Sequence, residues 1–205
     1  MKKPLYPRKL PSQDRSKFTV TAIIEAATHI FATHGYGKMT TNAVAELAGV
    51  SIGSLYQYFP NKEALICTVY KQHRRKIQEA IAQEMNKPLN ISDFSSILHL
   101  VEAIAKAHLV APELHAKFEN LKRERPFSEI LQEKGLNDIE RRLEQLLSEN
   151  KDIYAIEDET LSAKILVSAV YSLIHLYAGH ETDFRKISGE IARMLFGYIN
   201  ADKVV

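Results

Sequence analysis

The chain has 205 residues, 45% of them hydrophobic, and a formal net charge of +2, enough for one sizeable domain or a small one joined to a larger one. Its one cysteine, Cys67, excludes an intramolecular disulfide and the four-cysteine sites of structural zinc. The opening residues MKKPLYPRKLPSQDRSK are basic but no apolar run follows them, and nowhere do about 18 apolar residues stand in a row, so neither export nor a membrane span is expected and a cytoplasmic protein is.

Divided along the chain, the charge is uneven. Residues 1–85 hold 12 Lys or Arg against 6 Asp or Glu, or +6, whereas residues 86–205 hold 15 against 19, or −4. A basic module attached to a neutral or acidic body is the pattern of a nucleic-acid-binding segment, although basic surface alone is common.

The 8 glycines and 7 prolines fall mostly between apolar-periodic segments, and no repeat or alternating strand pattern stands out. The chain is therefore predicted to be all-α. Residues 1–13, with Pro4, Pro7 and Pro11 among Lys2, Lys3, Arg8 and Lys9, are predicted to form a flexible basic arm. A first helix is predicted from Asp14 to His34, its apolar face being Val20, Ile23, Ile24, Ala27, Ile30 and Phe31, and Gly35 stops it. Thr41 is the predicted N-cap of a second helix that Gly49 ends. Ser51 caps a short third segment limited by Pro60, and Asn61 opens a fourth helix toward Met85, closed by Asn86 and Pro88.

A second set of helices follows. Ser92 is the predicted cap of a segment to Ala111, Pro112 opens one to Leu121, and Phe127, Leu131, Leu136, Ile139, Leu143 and Leu146 form one helical stripe that tolerates Gly135. The last two helices are predicted over 158–178 and 182–199. The first of them is apolar nearly all round, with Leu161, Ile165, Leu166, Val170, Leu173, Ile174 and Leu176, so it needs cover on nearly all sides. Part of that cover is expected from a second copy of the chain, the last two helices of each protomer forming a four-helix interface across about 158–199.

Residues 41–59 have the layout of a helix-turn-helix. Ala45 is small where two helices cross, Gly49 stands four residues later at the turn, and Val44, Val50, Leu55 and Phe59 fill the core beneath. Helical hairpins of this pattern also occur in proteins that never touch DNA. Here the string TTNAVAELAGVSIGSLYQYFPNK from Thr40 to Lys62, with Phe31, Gly35 and Tyr36 before it and Leu65 after it, resembles the DNA-binding domain of the TetR family of transcriptional regulators. The likeness covers about 50 residues.

That resemblance implies an all-helical fold of about nine helices, divided into a DNA-binding domain over 14–60 and a ligand-binding and dimerisation domain over 61–205, with the helix 61–85 connecting them. It implies a homodimer on a palindromic operator in double-stranded DNA, released by a small-molecule effector. Position by position, Thr40, Thr41 and Ser51 are expected to hold phosphates, Tyr56 and Tyr58 to reach phosphate or sugar, and Lys62 to add charge. Gly53 allows close approach. Ile52, Ser54 and Gln57 are left for base readout, Gln57 as a bidentate partner of adenine and Ile52 against a thymine methyl. Tyr58 packed on the first helix and Lys62 as an ordinary surface lysine are the plain alternatives. Members of the family often carry an aromatic or charged residue where this chain has Gln57.

For the effector, Phe94, Leu98, Val101 and His108 share a helical face, and Phe118, Phe127, Tyr171 and His175 add aromatic or polar groups, although a histidine on an apolar face is more often a satisfied core residue. No metal or other cofactor is expected, since no two of the eight histidines stand four residues apart as a helical ligand pair would. Cys67 reads as a buried thiol. The rivals are a transcriptional activator of the same family, an architectural DNA binder without ligand control, and a helical-bundle enzyme, for which no phosphate-binding glycine loop or nucleophile elbow is present.

Overall fold

The periodicity of the sequence becomes ten helical segments in the computed structural model, which describes Leu5, Pro7 and residues 14–109, 111–124, 127–131, 137–150, 156–177 and 184–201. They are α1 (Asp14–Lys38), α2 (Thr41–Leu47), α3 (Ile52–Tyr58), α4 (Lys62–Met85), α5 (Phe94–Leu109), α6 (Pro112–Lys122), the single turn α7 (Phe127–Ile130), α8 (Asn137–Glu149), α9 (Glu159–Tyr177) and α10 (Phe184–Ile199). Among the described residues there is no strand.

The chain forms two compact units, one of residues 1–75 with 113–132, the other of 76–112 with 133–205. In the first, α1 buries Ile23, Ile24, Ala27, Ile30 and Phe31. Packing adds the first half of α4, together with α6 and α7, to the helices of residues 14–60. The Phe118 ring of α6 lies 4.6 Å from Phe31, 5.1 Å from Tyr70 and 5.8 Å from His73, and Lys117 donates a hydrogen bond to the carbonyl of Ala32. In the second unit α5 lies along α10 and α8 along α9, around a core that includes Val101, Leu166, Val170, Ile174, Ile191 and Leu195.

Two glycines set chain direction. Gly35 has φ 75° and breaks α1 where the sequence predicts a stop, and Gly49 has φ 66°. A Cβ at either would meet no atom within 4 Å, so the backbone angle, not space, is what asks for glycine. Gly49→Ala is expected to lower stability by about 1–2 kcal/mol, the cost of a left-handed alanine, readable as a shifted midpoint in urea.

Three local expectations need correction. The N-cap of α2 is Thr40, not Thr41: Thr40 has extended φ/ψ and its hydroxyl accepts from the amide of Ala43 at 3.1 Å, while Thr41 is already helical. The cap of α5 is Asp93 rather than Ser92. Its two carboxylate oxygens accept the amides of Ser95 and Ser96, and these bonds, with that from the Ser95 hydroxyl foremost, hold the carboxyl below its usual range. A carboxylate serves two amides where one hydroxyl would serve fewer.

The stripe from Phe127 to Leu146 is also not one helix. The helix breaks at Leu131, which lies in a bend, and resumes at Asn137; Leu136 and the predicted Gly135 fall outside the described residues. Phe127 and Leu131 are buried in the first unit, whereas Ile139, Leu143 and Leu147 pack into the second. Apolar spacing survives the break, so periodicity alone joined two segments that serve different cores. The basic arm, apart from Leu5 and Pro7, and the start of the last helix at Thr182 also fall outside the described residues.

Candidate functional site

α3 has seven residues, too few to persist in water by itself. Leu55 and Phe59 are fully buried beneath it, and each contributes about 1.5–3 kcal/mol by leaving water, which suffices to hold two turns in place. The turn before it is closed by backbone: the Val50 amide donates to the Ala45 carbonyl and the Gly49 amide to Glu46, both at 3.0 Å, the paired bonds that accompany a left-handed glycine at a helix end. Ser51 then caps α3, its hydroxyl accepting from the Ser54 amide at 3.1 Å. Ala45, buried at the crossing, leaves room for this approach.

With Leu55 and Phe59 turned inward, Ile52, Gly53, Tyr56 and Gln57 face solvent, Ile52 at 39% and Tyr56 at 41% exposure. The hydroxyls of Thr41 and Tyr56 are 3.1 Å apart, tying the start of α2 to the middle of α3, and those of Ser51 and Ser54 are 2.8 Å apart. Thr40 and Ser51 are exposed, while Tyr58 and Ser54 are half-buried. A Cβ on Gly53 would meet nothing closer than Ser51 Oγ at 3.8 Å, so no neighbour in the chain demands glycine there.

Lys62 stands at the start of α4, which Asn61 caps through a 2.7 Å bond from the Ala64 amide. Its ammonium lies 3.8 Å from the centroid of the Tyr36 ring, a cation–π contact that offsets the cost of a cation at a helix N-terminus. Partial burial lowers the Lys62 pKa, against the pull of Glu63. The Tyr36 hydroxyl is pushed up to about 12, chiefly by burial and then by Glu63 and Cys67, so it stays protonated. Cys67 is buried, and burial foremost pushes its thiol up to about 11, too high for a thiolate at neutral pH.

The second unit holds an apolar cavity that is partly open to solvent. Its walls come from Ile81 and Met85 of α4, Ile97, Val101 and Ile104 of α5, Leu143 of α8, Leu166, Val170 and Tyr171 of α9, and Leu195 and Ile199 of α10. Among the described lining residues Tyr171 alone has a hydrogen-bonding side chain.

The model of the family described as bacterial regulatory proteins, tetR family, matches residues 23–67, which span the end of α1, the helix-turn-helix and the start of α4. Over those residues the chain carries the DNA-binding domain of the TetR family. It is 25% identical over 185 residues to the fatty acid metabolism regulator protein of Bacillus subtilis, covering 80% of this chain and 91% of that one. It is 36% identical over 62 residues to the transcriptional repressor AcnR of Corynebacterium jeikeium, covering 30% of this chain and 33% of that one. The structure of the regulator FadR from Bacillus subtilis in complex with stearoyl-CoA superposes with a TM-score of 0.63 at 18% identity, over 88% of this chain and 99% of that one, which is a likeness of fold. The protein is a DNA-binding transcriptional regulator.

In this regulator the predicted DNA contacts lie on α2 and α3, on their caps Thr40 and Ser51, and at the start of α4. The predicted ligand residues divide. Val101 and Tyr171 line the cavity, and His108 and His175 adjoin Tyr171, their ring centroids 5.3 Å and 4.0 Å from its own. Phe94 and Leu98 are partly buried against the same core, Phe94 edge-on to Phe196 at 5.8 Å. Phe118 and Phe127 pack in the first unit, Phe127 against Tyr36 at 4.7 Å. Sequence reading missed the Tyr36–Lys62 contact, for which no spacing rule exists across 26 positions of sequence, and the exposure of Leu47 at the end of α2.

Taken as a single helix, α9 alone among the described residues is long and apolar enough to cross a membrane, and a third of it is buried within the chain. What remains outward is a stripe: Leu161 at 52% exposure, Ile165 at 47%, Ser168, Ser172 and Leu176 at 60%. Met194 and Tyr198 of α10 are exposed as well, and the Tyr198 hydroxyl is 3.0 Å from that of Ser162, next to Leu161.

Proposed function

We propose that the protein is a cytoplasmic repressor, without a catalytic role, that binds a palindromic operator as a homodimer and is released when an apolar small molecule fills the cavity of the second unit. The observation that carries the DNA half is the outward row of Ile52, Gly53, Tyr56 and Gln57 on a helix fixed from beneath by Leu55 and Phe59. Residues 14–60 supply the DNA-binding domain, 61–205 the ligand-binding and dimerisation domain, and 1–13 an arm. Thr40, Thr41, Ser51, Tyr56, Tyr58 and Lys62 contact the backbone of the DNA; Ile52, Ser54 and Gln57 read base edges, with Gly53 at the point of closest approach. The two copies of α3 in a dimer enter successive major grooves about one helical turn apart.

The exposed stripes of α9 and α10 support a second copy as their cover, since an apolar helix face of this length is otherwise left in water. A fatty acyl compound is the effector class. The walls of the cavity are almost wholly apolar, and the full-length relatives at hand include a fatty acid metabolism regulator and a regulator holding stearoyl-CoA.

Binding titrations against the DNA flanking the protein's own gene, with and without added acyl compounds, test the scheme. A regulator of this kind prefers one palindrome, at a salt-dependent affinity; indiscriminate binding marks an architectural protein, and no binding removes the reading. Within it, Gln57→Ala is expected to cost roughly 1–3 kcal/mol at a single base pair, while Lys62→Ala weakens all sequences alike. Equal loss across a set of single-base operator variants for Gln57→Ala would remove its base-reading role.

A further inference from the structure

Tyr171 is the one described lining residue of the second unit's cavity with a hydrogen-bonding side chain. On α5 the lining residues Ile97, Val101 and Ile104 follow at spacings of four and three, and the same face carries His108 one turn later. On α9 Leu166, Val167, Val170 and Tyr171 line the cavity, and His175 follows Tyr171 by one turn. The two rows meet there: the His108 ring is 5.3 Å from Tyr171 and 5.0 Å from His175, and Tyr171 is 4.0 Å from His175. His108 is fully buried and its Nδ1 donates to the Ile104 carbonyl at 2.7 Å, so the helix backbone fixes the ring.

We propose that this cluster is the head-group end of the cavity, where the Tyr171 hydroxyl donates to the C1 oxygen of a fatty acyl compound, either a free carboxylate or the carbonyl of a thioester, while the chain lies along the apolar walls. This rests on the acyl reading above and names the residue that recognises the head. The row from Ile97 to Ile104 is about 10 Å long at 1.5 Å per residue, an elongated wall that suits a chain. No described lining residue carries a charge, so a charged nucleotide group of a thioester stays outside the walls. His108 and His175 are positioning residues: they pack on the Tyr171 ring and hold it at the end of the rows.

The test compares the wild-type protein with Tyr171→Phe, which removes one oxygen and keeps the ring that both histidines face. Affinities are measured by calorimetry for the free acids of eight, ten and twelve carbons and, in parallel, for their CoA thioesters. Each added methylene is expected to tighten binding about fourfold in both proteins while room remains. The substitution is expected to weaken the acids about tenfold or more, or the thioesters about fivefold, by the same factor at every length. Whichever series shows that constant loss identifies the source of the acyl group. A loss that is absent in both series, or grows with chain length, overturns the head-group role while leaving the acyl reading intact. Failure of the wild-type protein to bind either series overturns both.

Discussion

Phe118→Ala is expected to destabilise the first unit by about 3–5 kcal/mol, the range for deleting a fully buried phenylalanine, and to abolish DNA binding while leaving the proposed acyl binding in the second unit in place. Phe118 has no exposed surface, and its ring touches Phe31 of α1 and Tyr70 and His73 of α4. α1 is in turn the helix against which α2 and α3 pack. Alanine leaves a void that these neighbours fill only in part, because they are held by their own helices. A two-unit chain need not unfold in one step, so the expected signature is an early transition that moves to lower urea and a late one that stays. Calorimetry with a fatty acyl ligand then separates the two possible roles of this side chain. Unchanged stability with lost ligand affinity would return Phe118 to the effector pocket, where its aromatic ring first suggested it.

The helices were legible because their information is local. Gly35 and Gly49 need left-handed backbone, Ser51 and Asn61 offer oxygen to free amides, and apolar residues three and four apart mark a buried face; each signal lies within a few residues of what it specifies. The helix-turn-helix was legible for the same reason, being contained between Thr40 and Phe59. Where two neighbours compete for one role, local reading chose wrongly. Thr40 and Thr41 are both good caps, as are Ser92 and Asp93, and only the backbone angle and the geometry of the amides decide between them.

The cavity was less legible, since it depends on which elements meet. Phe118 and Phe127 have the composition of pocket residues, yet the chain returns 113–131 to the helices of the first unit. Of the residues named from the sequence, Val101 and Tyr171 line the cavity, the first named for a helical face shared with Leu98 and the second for its polar aromatic ring. The approach of His108 to Tyr171, across 63 positions of sequence, has no local sign at all.

Ile165→Glu is expected to convert the proposed dimer into a folded monomer, moving the mass in solution from twice 23.3 kDa to 23.3 kDa. The effect follows from symmetry. In a two-fold interface the substitution occurs twice, so two carboxylates must leave water near one another, at several kcal/mol each, and dimerisation weakens by more than a thousandfold. Within one chain the same position is 47% exposed, so a glutamate there costs the monomer only about 0.5 kcal/mol or less. Ser168 and Ser172 lie on the same stripe and are small enough to let two copies of α9 approach closely, so the proposed contact has Ile165 near its centre. Losing the dimer also removes the linked second half-site, whose effective concentration is worth about a hundredfold to ten-thousandfold in apparent operator affinity. Sedimentation and operator titration should therefore fail together in Ile165→Glu, whereas Ile165→Val, apolar and of similar shape, should keep both. A dimer that survives the glutamate would place the interface elsewhere than the outward face of α9.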